Sequence, residues 1–261
     1  KLRNTLRYML GALTGFTEAE RVAPGEMPDL ERHILSRLAV LDAELDQHLE
    51  DHGYSRYMQA ILDFTVRDLS AFLFDIRKDS LYCDAPQSLR RRSYRTLLSF
   101  LFDWLATRLA PVLAFTAEEA WEHRGHEGSV HHQTFARADP AWQDLALDKR
   151  FERLRELRGL VTAAIEPLRR DKAIGSSLEA DVTLETDAET AASLEPEAFA
   201  ELCIVASVEV QAGSGEDRVM VAPSKHSRCA RCWRHLPDVA SDTGLCTRCA
   251  GVVATLPAEA A

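Results

Sequence analysis

The feature that most constrains this chain is a set of four cysteines in two Cys-x-x-Cys pairs near its C-terminal end. Cys229 and Cys232 form the first pair, and Cys246 and Cys249 form the second. Four thiolates in two knuckles can surround one Zn²⁺ tetrahedrally and leave no coordination position open. The spacing therefore predicts a structural metal site rather than a catalytic one.

Two other uses of these cysteines are weaker. Disulfides would need an oxidising compartment, but we find no secretory signal, and Cys83 and Cys203 occur singly. A redox dithiol normally accompanies a βαβ pattern, which neither pair has. The segment between Lys225 and Cys249 has few apolar side chains, namely Trp233, Leu236, Val239 and Leu245. Because so few cannot form a core, we expect the metal to fold this segment.

Positive charge and one aromatic residue surround the first cysteine pair. The cations are Lys225, Arg228, Arg231, Arg234 and Arg248, and Trp233 directly follows Cys232. Such a patch suits phosphate contacts combined with stacking on an unpaired base. The alternative is that the arginines are solvated and offset the thiolate charge, while Trp233 packs on the knuckle.

Composition sets looser bounds on function. The chain has 261 residues, of which 46% are hydrophobic and 28% charged, and these values are typical of a globular protein of about two domains. No apolar run approaches the ~20 residues of a membrane span, so we predict no membrane partner. The net charge of −10 excludes a uniformly basic nucleic-acid binder, and a polyanion would have to meet local patches. Because the chain begins with Lys1 inside a helical pattern, we expect it to be part of a longer protein.

Apolar residues recur at helical spacing through the first half of the chain. The predicted helices cover residues 1–13, 34–45, 54–76 and 88–110. In the last of these, Arg91, Arg95 and Asp103 lie opposite the apolar stripe, which indicates a solvent-facing side. Thr116 and Glu119 form a capping-box pattern that predicts the start of a short helix. Together these elements predict an up-and-down helix bundle over residues 1–143.

Histidines cluster in the loop that follows, at His126, His131 and His132. Their spacing fits no standard zinc motif, and no carboxylate and nucleophile accompany them. We therefore predict solvated or packing roles for them.

The pattern changes after the bundle. A charged helix is predicted over residues 145–170, and alternating residues predict short strands at 181–185, 208–210 and 218–221. The predicted fold class is therefore mainly α. A helix bundle at residues 1–143 is followed by a helix with a small α+β junction module at 144–222 and by a four-cysteine zinc knuckle at 223–261.

Six sequence blocks resemble, in the same order, successive blocks of bacterial isoleucyl-tRNA synthetase, a class I ligase. They are Arg3–Gly11, Lys78–Cys83, Leu109–Trp121, Ser129–His131, Ile174–Ala180 and Cys229–Trp233. The resemblance covers nearly the whole chain. It implies the C-terminal portion of such a ligase, with a helical anticodon-binding domain, a junction module and a zinc-binding domain.

The resemblance also implies that the catalytic and editing functions belong to other domains of the ligase. The family's ATP-handling signatures, His-Ile-Gly-His and Lys-Met-Ser-Lys-Ser, do not occur here, nor does its editing domain. ATP and Mg²⁺ would belong to the catalytic domain, which attaches isoleucine to tRNA(Ile), so no catalytic residue is expected in this chain. This chain would be a monomeric, cytoplasmic part of that enzyme, in contact with its catalytic and editing domains and with the anticodon end of tRNA(Ile).

By resemblance, we expect tRNA contacts on the first helix and on the knuckle. The candidates are Arg3, Asn4, Arg7, Arg231, Trp233 and Arg234. Leu2 and Leu6 lie on the same first helix and are expected in the core, which leaves the polar residues facing outward.

Two other classes of protein are compatible with the knuckle. A zinc-dependent DNA-repair glycosylase carries a similar finger but needs an N-terminal catalytic proline and an acid, and the start Lys1-Leu2-Arg3-Asn4 supplies neither. The other class is a zinc-stapled protein-interaction module without an RNA role. Titration with RNA distinguishes such a module from the tRNA-binding portion of a ligase.

Overall fold

Helices dominate the fold, as the apolar periodicity predicts. The computed structural model describes residues 1–213 and 215–256. The helices before the first strand are α1 (Leu2–Ala12), α2 (Asp29–Glu50), α3 (Tyr54–Asp63), α4 (Asp75–Cys83), α5 (Leu89–Leu109), α6 (Ala114–Arg124) and α7 (Leu145–Arg170). The mainly α fold class is confirmed.

The third predicted helix is longer than residues 54–76 and is not regular. Between α3 and α4 the chain continues as a π-helix, Phe64–Phe74, so one helical path runs from Tyr54 to Cys83. π-helical hydrogen bonding is rare and is usually confined to a single turn. Burial accounts for the extension, because Leu81 and Cys83 pack in the core beyond the predicted end.

The start of α6 differs from the capping-box prediction. The helix begins at Ala114, so Thr116 lies inside it and caps nothing. The Leu113 backbone N–H bonds the Leu109 carbonyl at 2.7 Å, so the turn that follows α5 leads directly into α6. Glu119 does not reach back to the helix start, because its carboxylate pairs with Arg3 at 2.8 Å.

Helix α5 lies at the centre of the bundle and is covered on nearly every side. Its apolar residues Leu97, Leu98, Leu101, Phe102, Trp104 and Leu105 are buried, as predicted. Arg95 is buried as well, which contradicts the expected solvent-facing side. Its guanidinium is held by the Glu20 carboxylate at 2.8 Å and by the Thr14 carbonyl at 2.8 Å. The loop after α1 therefore covers the polar side of α5.

Buried charges in the bundle are paired. Arg77 donates two hydrogen bonds to the carboxylate of Glu31, at 2.6 and 2.7 Å. Asp42 accepts from the Trp104 indole at 2.7 Å and from Arg108 at 2.5 Å. Unpaired charges in such an environment would be strongly unfavourable, so these contacts fix how α2 packs against its neighbours.

A three-stranded sheet forms the α+β module, as the alternating residues predict. The strands are β1 (Ala180–Thr186), β2 (Ser207–Ala212) and β3 (Arg218–Pro223), with β1 in the middle. β2 is parallel to β1 and β3 is antiparallel to it. Helices α8 (Ala188–Ser193) and α9 (Pro196–Cys203) connect β1 to β2. Every second residue of β1 is buried, which is the period of a strand covered on one face.

The described chain divides into two units, Lys1–Asp148 and the part from Lys149 onward. The boundary falls inside α7, so the proposed division at residues 143 and 222 stays a prediction. Within the described residues, no helix has both the length and the apolar content that crossing a membrane requires.

Candidate zinc centre and nucleic-acid interface

A small hairpin presents the first cysteine pair. Strands β4 (Ser227–Arg228) and β5 (His235–Leu236) are antiparallel, and the loop between them contains Cys229 and Cys232. The Cys229 backbone N–H bonds the Arg234 carbonyl at 2.9 Å, and the Trp233 N–H bonds the Cys229 carbonyl at 3.0 Å. These bonds fold the loop into a knuckle with both thiols on its inner side.

A turn and a short helix present the second pair. Cys246 precedes helix α10 (Thr247–Val253), and Cys249 lies in its first turn. Gly244 adopts φ of +67° just before the pair, a conformation that glycine accepts without strain. Its carbonyl accepts the Ala230 N–H at 2.8 Å, which joins the second knuckle to the first.

The four sulfurs converge on one point. All four Sγ atoms lie within 4.8 Å of one another, and every one of the four residues is buried. With zinc–sulfur bonds of about 2.3 Å, the edge of an S₄ tetrahedron is about 3.8 Å. The Cys232 and Cys246 sulfurs are 3.9 Å apart, close to that edge and far beyond a disulfide bond of about 2.0 Å. The donor set therefore fits Zn²⁺ and does not fit two disulfides.

Backbone dipoles prepare one thiol for ionisation. Burial opposes the charge on Cys229, but N–H groups of Cys232, Cys246 and Arg231 outweigh it and lower the pKa of the thiol to about 6. One of these contacts is the Cys246 N–H, 3.3 Å from the Cys229 sulfur. Burial raises the pKa of Cys232 and of Cys246. A divalent cation would replace the protons that buried thiols otherwise keep.

Two of the knuckle residues predicted to contact RNA already interact with other residues of this chain. The Arg231 guanidinium lies 3.9 Å from the Cys249 sulfur, where its charge offsets a thiolate. Arg234 donates to the Ala206 carbonyl at 3.0 Å and so joins the knuckle to the start of β2. The first contact agrees with the alternative in which the arginines offset the thiolate charge, and the second gives Arg234 a structural role. Both side chains remain partly exposed.

Trp233 faces solvent rather than packing on the knuckle. Its residue surface is 62% exposed, and its backbone has φ of +66°. A left-handed conformation is unfavourable for a large side chain, so the knuckle holds Trp233 in place at some cost in strain. An exposed indole on a rigid support is suited to stacking on a planar ring.

The predicted residues of the first helix face outward. Arg3, Asn4 and Arg7 are exposed, while Leu2 and Leu6 are buried as predicted. Together with α6, this helix forms a cleft of about 200 Å³. Its lining comprises Arg3, Leu6, Arg7, Leu10, Thr116, Glu119, Ala120 and His123. The two predicted sets of RNA contacts thus belong to different units, α1 to the first and the knuckle to the second.

The loop histidines do not assemble a site in the described residues. His126 bonds Asp103 at 2.7 Å and lies against Trp121, with ring centroids 4.0 Å apart. His131 and His132 are exposed. Over residues 1–213 and 215–256, the four cysteines are the group of potential metal ligands found. The packing and solvated roles predicted for the histidines agree with these contacts.

Sequence reasoning gave no role to Phe115, which has the largest exposed fraction among the exposed large hydrophobic residues of the described ranges. Phe115 is 93% exposed at the start of α6. Its place in an apolar block after Pro111 resembles a core segment, and only the direction in which α6 leaves the turn exposes it. No pattern in the sequence distinguishes these outcomes.

Two family models match the chain. Residues 31–184, more than half of the chain, match the anticodon-binding domain of tRNA ligase. Residues 227–251 match the zinc finger found in FPG and IleRS. Because that description names two kinds of protein, the finger alone does not distinguish between the alternatives. The first match does, and a DNA-repair glycosylase is not favoured.

Similar proteins are isoleucine-tRNA ligases. The ligase of Zymomonas mobilis is 47% identical over 259 residues, which cover 97% of this chain and 27% of the relative. That of Gluconobacter oxydans is 45% identical over 262 residues, with the same coverage. That of Agrobacterium fabrum is 41% identical over 255 residues, covering 93% of this chain and 26% of the relative. The chain therefore spans about a quarter of the length of these relatives.

Proposed function

We propose that this chain binds the anticodon end of tRNA(Ile), because it belongs to the anticodon-binding domain family of tRNA ligases. The observation that carries the proposal is the family match over residues 31–184 together with relatives that are isoleucine-tRNA ligases. In the whole enzyme, isoleucine would be activated with ATP and Mg²⁺ and transferred to tRNA(Ile) by a catalytic domain. The part described here would be a monomeric, cytoplasmic recognition portion that works beside the catalytic and editing domains.

The knuckle would hold one structural Zn²⁺ through Cys229, Cys232, Cys246 and Cys249. Support comes from the converging sulfurs and from the match to a zinc-finger family. The bound ion would supply no chemistry beyond fixing the fold, because four thiolates leave it no open position. Few apolar side chains are buried in this segment, so the metal would have to hold Trp233 and its neighbours in place.

RNA contacts would come from both units. Arg3, Asn4 and Arg7 would act from α1, and Arg231, Trp233 and Arg234 from the knuckle. The exposed Arg3 and Arg7 and the half-buried Arg231 and Arg234 suit phosphate oxygens, and the exposed Trp233 ring suits an unpaired base. The division of the chain into a bundle at residues 1–143, a junction module at 144–222 and a zinc domain at 223–261 belongs to the same proposal.

Titration with an anticodon stem-loop RNA tests this function. The zinc-loaded chain is titrated at several salt concentrations against an unmodified stem-loop with an isoleucine anticodon, and against one with an unrelated anticodon as control. We expect tighter binding of the stem-loop with the isoleucine anticodon. We also expect the logarithm of the binding constant to fall linearly with the logarithm of the salt concentration. Binding without salt dependence and without anticodon preference would instead support a zinc-stapled protein-interaction module.

A further inference from the structure

The cleft between α1 and α6 has an apolar base and a mostly basic rim. Leu6 and Ala120 are buried beneath it. Arg3 and Arg7 stand along its α1 side, and one carboxylate, Glu119, stands on the α6 side. The surplus of positive charge is notable because the chain as a whole carries −10. An anionic or phosphate-bearing ligand is therefore attracted to this surface.

Phe115, at the start of α6, is the chain neighbour of a residue that lines this cleft. It stands one helical turn before Glu119, and residues four apart on a helix are neighbours on one face. Thr116, the next residue, lines the cleft. An aromatic side chain that is 93% exposed contributes almost nothing to the core. An exposed ring next to a basic cleft is suited to stacking on a planar ring.

The size of the cleft limits what it can hold. Its volume of about 200 Å³ is below the roughly 300–1,000 Å³ of pockets for drug-sized ligands. A single flat ring fits, whereas a folded peptide segment does not. The Arg3–Glu119 pair does not block the cleft, because both side chains are about half exposed or more and such surface pairs are weak. Arg3 can therefore exchange Glu119 for a phosphate oxygen.

We propose that this cleft binds one unpaired nucleobase of an RNA loop, with Phe115 as its stacking partner and Arg3 and Arg7 on the adjoining phosphates. The inference rests on the proposed function and locates one base contact within it. RNA is the occupant that we choose, because a loop supplies both a flat base for Phe115 and phosphates for the basic rim.

Substitutions at Phe115 test the proposal in the full chain. Phe115→Ala is expected to weaken binding of the isoleucine anticodon stem-loop about tenfold, and Phe115→Trp is expected to restore it, because base stacking needs a ring. Phe115→Ala should leave thermal unfolding unchanged. Tyr54→Ala, which removes another exposed aromatic residue of the same unit, is the matched control and should bind like the unmodified chain.

Salt dependence separates stacking from charge. Arg7→Gln should reduce the logarithmic salt slope by about 0.7, whereas Phe115→Ala should lower the affinity without changing that slope. Unchanged RNA affinity of Phe115→Ala, or failure of Phe115→Trp to restore binding, would overturn the inference and leave the proposed function standing. If the unmodified chain bound no stem-loop, the proposed function would fail, and the inference would fail with it.

Discussion

The buried pair of Glu31 and Arg77 gives the sharpest test of how the bundle is held together. The two side chains are 0% and 5% exposed, and they meet through two parallel hydrogen bonds of 2.6 and 2.7 Å. Glu31→Gln keeps the size and one acceptor oxygen of the side chain but removes its charge. The guanidinium of Arg77 then remains buried without its counter-charge.

The expected loss of stability follows from that burial. Breaking one partner of a buried ion pair typically costs about 3–5 kcal/mol, because the remaining charge is held out of water and has lost its opposite charge. For a unit of this size, the loss corresponds to a drop in melting temperature of roughly 10 °C. The double variant Glu31→Leu with Arg77→Met should recover most of this loss, since apolar side chains of similar volume need no counter-charge.

Urea unfolding followed by far-UV circular dichroism measures the effect, since α2 and α4 belong to the helical unit. Glu119→Gln is the matched control, because it breaks the exposed pair with Arg3 and should cost less than about 1 kcal/mol. Equal losses for the two single variants would refute the reasoning from burial. So would a double variant that is less stable than Glu31→Gln.

Three further predictions concern the second unit. Cys246→Ser is expected to abolish binding of one Zn²⁺ and to disorder the knuckle, while the helical signal of the bundle persists. Metal analysis measures the first effect and circular dichroism the second. Loss of the whole helical signal would contradict the separation of the knuckle from the bundle. Trp233→Ala should weaken stem-loop binding about tenfold but change thermal unfolding little, because the indole is 62% exposed, and a purely thermal effect would make it a packing residue. Hydrogen bonds from Arg153 lower the pKa of Asp217 below its ordinary value of 3.8, so the carboxylate stabilises the fold above that pH. Asp217→Asn should therefore destabilise the chain at neutral pH, and the difference should vanish as the pH falls through the lowered pKa; a pH-independent difference in urea unfolding would show that charge is not the cause.

Local patterns sufficed for the features that depend on short stretches of chain. The two Cys-x-x-Cys pairs predicted a four-sulfur cluster, and helical periodicity predicted α1, α2, α5 and α7. Alternation predicted the three strands of the sheet. These patterns succeed because ligand spacing and the periods of helix and strand are set by neighbouring residues.

Local patterns failed where distant segments compete for the same residues. The polar stripe with Arg95 resembled a solvent face, but the loop after α1 covers it with Glu20 and the Thr14 carbonyl. The capping-box pattern at Thr116 and Glu119 did not start α6, because the turn after α5 leads directly into that helix and Glu119 pairs with Arg3. Periodicity reports which side of a helix is apolar and does not report what covers the other side.

The sequence by itself determined that this chain forms a helical bundle, a small sheet module and a four-cysteine knuckle, since short-range spacing carries all three. Only the tertiary structure decided that the four sulfurs lie within 4.8 Å of one another, that Trp233 and Phe115 face solvent and that α1 and α6 form a basic cleft. The physical reason is that exposure and convergence depend on how elements far apart in the chain pack together. Spacing selects the ligands and the helices, and packing decides which side chains remain available to a partner.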